Sequence, residues 1–239
     1  MNREIFLAAL EQRLRSPVRL ALAGAFMLFA AGPYLMTFVV RGMPHTIAAS
    51  THGGMLALVF AAGVLGQEFS SGAPQITFTR PLPRWTWVVS RAVAVALLAS
   101  LCALVPYVFA LWSGVPAGDV GLSALEQVLQ AVGTSAVLLG LSSLVPGLTD
   151  LALLAGANIG FSILGLVGMV AQEEPLRTVA QRLKDYIEPW FSPRLELIGI
   201  AHGATFSPHA LFQIASTIVF WLVVAVAMVN RKELSYATD

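Results

Sequence analysis

Residues 66–84 read GQEFSSGAPQITFTRPLPR and separate two long apolar runs. The run before them, 52–65, contains no charged side chain, and the run after them, 85–112, contains only Arg91. Continuously apolar runs are typical of membrane helices, because the strands of a membrane barrel alternate between apolar and polar residues. The stretch is therefore predicted to be a loop between two membrane-spanning helices.

The composition also indicates a membrane protein. Of the 239 residues, 57% are hydrophobic and 11% are charged, and the mean hydropathy is +0.77. Soluble domains carry roughly a quarter charged residues, so a soluble core of this length would not bury so much apolar surface. The net charge of +1 argues neither for nor against nucleic acid, and we expect no nucleic-acid partner. Cys102 is the only cysteine and is predicted to be a packed membrane thiol.

Six segments are long enough to be considered as spans, since a helix needs about 20 residues to cross the hydrocarbon layer. The second is short and the third is long. We predict an all-α membrane protein whose residues 1–239 form a single transmembrane domain. The six segments are 17–40, 52–67, 87–112, 122–145, 151–171 and 209–229.

The distribution of basic residues predicts the orientation. With the N-terminus in the cytoplasm, nine Lys and Arg residues lie on the cytoplasmic side and five on the outer side. This excess favours both termini in the cytoplasm. The first apolar run is longer than a signal-peptide core and is expected to be a retained anchor.

Two segments outside the spans look amphipathic. In residues 1–16, a helix would place Phe6, Leu10 and Leu14 on one face and would lie at the cytoplasmic interface. The predicted external loop, 172–208, contains a second helix that begins near Glu173. Its apolar residues recur at helical intervals and are Leu176, Val179, Ala180, Leu183, Ile187, Trp190 and Phe191.

The cytoplasmic loop at 68–86 has its own pattern. Glu68 is expected just beyond the hydrocarbon, where water solvates it, and the Ser-Ser-Gly that follows suits a turn. Pro74 suits the first turn of a short helix, which Pro81 and Pro83 would end. The loop is predicted to be a short, rigid lever on the membrane surface.

This pattern resembles the ABC-2 type permease family of ABC exporters. The resemblance rests on Gly-x-Glu, Ser-Ser-Gly and a downstream Arg-Pro-x-Pro-Arg within residues 66–91, and on the six-span plan. Ala73 and Arg91 stand where the family usually has Thr and often has Lys. The resemblance implies that the loop docks on a separate ATPase subunit through Glu68, Ser71, Gly72, Pro81, Pro83 and Arg84.

The resemblance also implies partners and a location. The chain has no GxxxxGK[ST] motif, so we expect it not to be an enzyme and expect ATP and Mg to bind a partner ATPase, present in two copies. The other expected partners are membrane lipid and a second permease copy or a paralogue. The location would be a prokaryotic cytoplasmic (inner) membrane. The alternative is a non-transporting six-span subunit that signals or regulates within an ABC-type complex.

Three other patterns suggest weaker hypotheses. The sequence EEPLR at 173–177 is similar to the EExxxR signature of membrane proteases, but the spacing is one residue short. The four histidines, His45, His52, His202 and His209, lack the neighbouring Cys or acidic residues of a metal site, so no metal is expected.

Asn158 lies in the fifth predicted span between Gly156 and Gly160. This pattern first suggests close helix packing. Because buried polar groups are costly in lipid, Asn158 is also a candidate residue of the substrate pathway. No span carries an ion ladder or a charged cavity signature, so the sequence does not identify a substrate.

Overall fold

The computed structural model describes residues 2–40, 52–71, 83–145, 147–170, 173–192 and 208–236. Every regular element within these ranges is a helix, which confirms the all-α prediction. The helices are α1 (Arg3–Leu14), α2 (Pro17–Val39), α3 (His52–Ala61), α4 (Gly66–Ser71), α5 (Arg84–Trp112), α6 (Ala117–Leu144), α7 (Thr149–Val170), α8 (Glu174–Phe191) and α9 (Pro208–Tyr236).

Five of the described helices are long and apolar enough to cross a membrane: α2, α5, α6, α7 and α9, the last over Leu211–Arg231. Large apolar side chains such as Phe29, Met169 and Val170 are at least three-quarters exposed on their outer faces. Such surfaces suit lipid rather than water. The chain thus has the character of a multi-pass membrane protein.

The second predicted span, 52–67, differs from the prediction of one continuous helix. Helix α3 has 10 residues and covers about 15 Å, roughly half the thickness of the hydrocarbon layer. A turn over 62–65 separates it from the six-residue α4. The structure therefore supplies five candidate spans among its described residues, together with this interrupted segment.

Helix α6 is the centre of the bundle, because it packs against α3, α5 and α9. In α6, 72% of the most apolar stretch is buried, against 22% to 39% in the other four spans. Its contact with α9 depends on Gly140, where an added Cβ would lie 2.2 Å from Cε3 of Trp221.

Helix α1 is capped by Asn2, whose side chain accepts hydrogen bonds from the backbone N–H groups of Glu4 and Ile5. It packs on α5 and α2 and buries Ala9 and Arg13. The predicted apolar face is therefore not the packed one, since Leu14 is 45% exposed while Phe6 and Leu10 are half-buried. The buried position of Arg13 was not visible in the apolar spacing.

Helix α8 packs along α7, and the pairs Phe161–Phe191, Gly165–Lys184 and Gly168–Gln181 show that the two helices are antiparallel. A Cβ added at Gly165 of α7 would lie 3.3 Å from Nζ of Lys184, and the rings of Phe161 and Phe191 are 5.9 Å apart. Polar side chains thus face α7. Most of the predicted apolar stripe instead points away from the described protein, with Leu176, Val179, Leu183 and Ile187 exposed.

Candidate functional site: a buried charge cluster at the break between α3 and α4

The break between α3 and α4 is built on two glycines. Gly63 has φ +65°, and a Cβ there would lie 2.9 Å from Cδ2 of Leu148. A Cβ at Gly66 would lie 2.7 Å from the carbonyl oxygen of Gly147. Only glycine fits this backbone conformation and this close approach without strain. The break therefore packs directly against Gly147 and Leu148, in the link between α6 and α7.

Side chains from other helices bind the backbone groups that the break leaves free. Oδ2 of Asp150 in α7 accepts a hydrogen bond from the N–H of Gly63 at 2.6 Å. Oγ of Ser142 in α6 accepts from the N–H groups of Leu65 and Gly66, at 2.9 Å and 2.7 Å. Buried backbone donors need such partners, since an unpaired one is costly.

Two arginines from the N-terminal helices α1 and α2 bind the same break. Nη1 of Arg13 in α1 donates to the carbonyl oxygen of Ala62 at 3.1 Å. Nη2 of Arg19 in α2 lies 3.5 Å from that oxygen and 3.4 Å from Oε1 of Gln67. Four helices, α1, α2, α6 and α7, therefore hold the break in place.

The next turn of the chain carries a buried ion pair. Glu68 in α4 pairs with Arg91 in α5, and their side chains are 8% and 11% exposed. The guanidinium carbon of Arg91 also lies 4.9 Å from the ring centre of Trp87, a cation–π geometry. We define the charge cluster as Arg13, Arg19, Glu68, Arg91 and Asp150.

Burial governs the electrostatics of this cluster. It raises the pKa of Glu68, and the positive charges of Arg91 and Arg13 offset part of that rise. Burial also lowers the pKa of Arg13 to about 9, and neighbouring Arg19 acts in the same direction, while Glu68 acts against it. The ion pair therefore offsets only part of the free-energy cost of removing these charges from water, as expected for buried ions.

The predicted site residues have different outcomes. Glu68 is buried and paired, so the expectation that water solvates it is wrong. Ser71 is the last residue of α4, whereas Gly72 and Pro81 lie outside the described residues. Pro83 is exposed at the start of α5. Nη1 of Arg84, the first residue of α5, lies 3.5 Å from the carbonyl oxygen of Asn230 in α9.

Asn158 does not make the packing contact that the sequence suggested. Its Nδ2 donates to the carbonyl oxygen of Leu154 in its own helix at 2.9 Å. A Cβ added at Gly156 or Gly160 would have no neighbour within 4 Å. Within the described chain, this face of α7 is therefore not a close helix contact, and the role of Asn158 as a pathway residue stays a prediction.

The two histidines that the structure describes lie in different environments. His52 is buried, with Nε2 lying 2.9 Å from the carbonyl oxygen of Ala103, whereas His209 is exposed. His45 and His202 lie outside the described ranges. Among the residues that the structure places, no three His, Cys, Asp or Glu side chains come together as they would around a metal ion.

Sequence reasoning missed four members of the charge cluster. Arg13, Arg19 and Asp150 were assigned no site role, and Arg91 was noted only as the lone charge of its apolar run and as a departure from the family pattern. The available signal was that Arg91 is a lone charge in an apolar run, because ionisable residues in spans are costly without a partner.

Comparison with known proteins leaves the family open. No protein-family model matches the chain, and no curated protein matches it in sequence.

Proposed function

We propose that the chain is the membrane-spanning permease subunit of an ATP-binding cassette exporter of the ABC-2 type. A separate ATPase subunit, in two copies, would bind ATP and Mg, and a second permease copy or a paralogue would complete the pathway. The membrane would be a prokaryotic cytoplasmic membrane, with both termini in the cytoplasm. The observation that carries the proposal is the charge cluster, which ties the segment before the predicted coupling loop to most of the bundle.

The cluster supports coupling because it makes a stiff connection. A force applied to the loop at 68–86 would enter the bundle through α4 and through the start of α5. The ion pair between Glu68 and Arg91 joins these two entry points. The hydrogen bonds of Arg13 and Asp150 to the break would pass the force to α1 and α7. Hydrogen bonds and ion pairs between buried groups connect the elements that they join, although Nη2 of Arg13 and Nε of Arg91 have no hydrogen-bond partner among the described residues.

The exposed apolar residues of α8, which are Leu176, Val179, Leu183 and Ile187, support a contact with lipid in the same complex. Helix α7, which packs against α8, also exposes apolar residues such as Leu166 and Met169. Lys184 and Glu188, 3.9 Å apart, are less exposed than the stripe residues. An amphipathic helix with this arrangement is suited to the edge of a bilayer.

The first test is a crosslink between the loop and an ATPase. In a variant without Cys102, a single cysteine at position 72 would be treated with a short bifunctional reagent in native membranes. The protein that becomes crosslinked to it would be identified by mass spectrometry. We expect a Walker-type ATPase from the loop variant only. A cysteine at Gly118, at the opposite end of α5 and α6, is the matched control. Equal crosslinking from both positions, or none from position 72, would contradict the proposal.

The runner-up, a six-span subunit that regulates an ABC-type complex without transport, predicts the same crosslink. Export distinguishes the two functions. Cells that lack the chain should retain a small molecule that wild-type cells release, and the purified complex should move that molecule into inverted vesicles when ATP is added. ATP hydrolysis and the crosslink without any ATP-dependent uptake would favour the regulatory subunit.

A further inference from the structure

Helix α6 carries a row of polar side chains inside the bundle. Ser123, Glu126, Gln127 and Gln130 are all less than a tenth exposed. Their spacing of three, four and seven residues places them on one side of the helix. This side faces the neighbouring helices of the bundle at the end opposite to the charge cluster, since α6 reaches Ser142 near its other end.

Neighbouring groups satisfy several polar side chains of this region. Oε1 of Gln127 accepts a hydrogen bond from the N–H of Gly53 at 2.9 Å. The His52 ring contacts the Ala103 carbonyl oxygen at 2.9 Å, and its centre lies 5.7 Å from that of Tyr107. The backbones of α3 and α6 also approach closely, because a Cβ at Gly53 would lie 2.2 Å from the carbonyl oxygen of Gln127.

Glu126 differs from these neighbours. It is 1% exposed, and within the described parts of the chain its Oε2 has no hydrogen-bond partner. The hydroxyl of Ser123, one turn away, also lacks one there. Tyr107 lies within electrostatic reach of Glu126 and of Tyr34, and both tyrosines belong to an apolar cluster with Ala110, Val115 and Val120.

The charges around Glu126 do not compensate a carboxylate. The described titratable groups at this end of the bundle include half-buried Asp119, seven residues before Glu126 in α6. The packed helices add Tyr34 of α2, His52 of α3 and Tyr107 of α5, and His209 is exposed at the start of α9. No described cation lies within ion-pair distance of Glu126, and Arg91 of α5 pairs with Glu68. An unpaired carboxylate buried inside a membrane bundle is far less stable than the neutral carboxyl.

We propose that Glu126 is an intramembrane proton-binding site. Its carboxyl is protonated at neutral pH while α2, α3, α5 and α6 are packed together. It releases the proton to water only when these helices separate. The site takes a proton as its ligand, and the inference does not depend on the proposed transport function.

The test is infrared spectroscopy of the purified full chain in lipid at neutral pH. A neutral carboxyl gives a C=O stretching band that ionised carboxylates lack. Glu126→Gln should remove a band that wild type shows. The matched control is Glu11→Gln, because Glu11 lies in the same tetrapeptide, Ala-Leu-Glu-Gln, but is exposed and paired with Arg15. That variant should keep the full band.

A second measurement keeps the test decisive if Glu126→Gln does not fold. Glu126→Asp retains a carboxyl and should shift the band instead of removing it. Transfer of wild type to ²H₂O should shift the band slowly, because the packed helices exclude water. An unchanged spectrum in both Glu126 variants would overturn the proton site. Immediate exchange in ²H₂O would overturn the requirement that the helices separate.

Discussion

The substitution Glu68→Gln should destabilise the protein strongly, because it leaves Arg91 buried without its carboxylate. The two side chains are 8% and 11% exposed, so water solvates neither charge well. Removing one partner of a buried ion pair costs about 3 to 5 kcal/mol. In a chain of 150 to 250 residues, each kcal/mol lowers the unfolding temperature by about 2 to 4 °C, so we expect a fall of roughly 6 to 20 °C.

The assay is thermal unfolding of the purified variants in one detergent, with Glu11→Gln as the control. The ion pair of Glu11 with Arg15 is 61% and 78% exposed. An exposed pair four residues apart contributes about 0.3 to 0.5 kcal/mol, so the control should lose only about 1 to 2 °C. The double variant Glu68→Gln, Arg91→Gln removes both charges and should recover part of the loss.

Two results would refute this reasoning. If Glu68→Gln and Glu11→Gln have the same unfolding temperature, the carboxylate of Glu68 is not a buried ion. If the double variant is less stable than Glu68→Gln alone, the loss comes from packing and not from an uncompensated Arg91. Because Glu68→Gln is expected to be unstable, its effect on ATP hydrolysis has to be measured well below its unfolding temperature.

Three further outcomes are expected. Gly66→Ala should lower the free energy of unfolding by about 1 to 3 kcal/mol through overpacking. The control is Gly121→Ala, which should not destabilise the protein because an added Cβ has open space there. Equal unfolding temperatures of the two variants would contradict the close approach at Gly66. A single cysteine at Asp185 should react with an impermeant thiol reagent in intact cells, and one at Asp239 should not. Leu183→Asp should reduce recovery of the protein in the membrane, and unchanged recovery would contradict a lipid contact.

Five of the six predicted spans correspond to helices that are long and apolar enough to cross a membrane, because each of these predictions depends on one segment alone. The predicted 122–145 and 151–171 correspond to α6, Ala117–Leu144, and α7, Thr149–Val170. Hydropathy and length suffice for such helices, since the bilayer fixes the required number of apolar residues. Helix α8 begins at Glu174, next to the predicted start near Glu173, and Pro175 suits its first turn.

The break between α3 and α4 was not predictable in the same way. The run 52–65 contains no charged residue, and no pattern within it indicates that Gly63 adopts a positive φ. The break is stable because Asp150, Ser142 and Arg13 come from distant parts of the chain to bind its backbone. A pattern within one segment does not contain that information, so the same glycine fits a continuous span equally well.

The two copies of Ala-Leu-Glu-Gln show where local sequence stops being informative. Glu11 is followed by Arg13 and Arg15 and lies in a helix with one exposed side, so water and Arg15 stabilise its charge. Glu126 is followed by no charged residue as far as Leu144, and it lies on the central helix of the bundle. The tetrapeptide is identical, and only the surroundings distinguish the exposed, paired Glu11 from the buried Glu126, whose Oε2 has no hydrogen-bond partner among the described residues. A buried acid on the central helix of a membrane bundle is therefore a stronger indication of a site than a short motif in a loop, because lipid leaves such a group few stable alternatives.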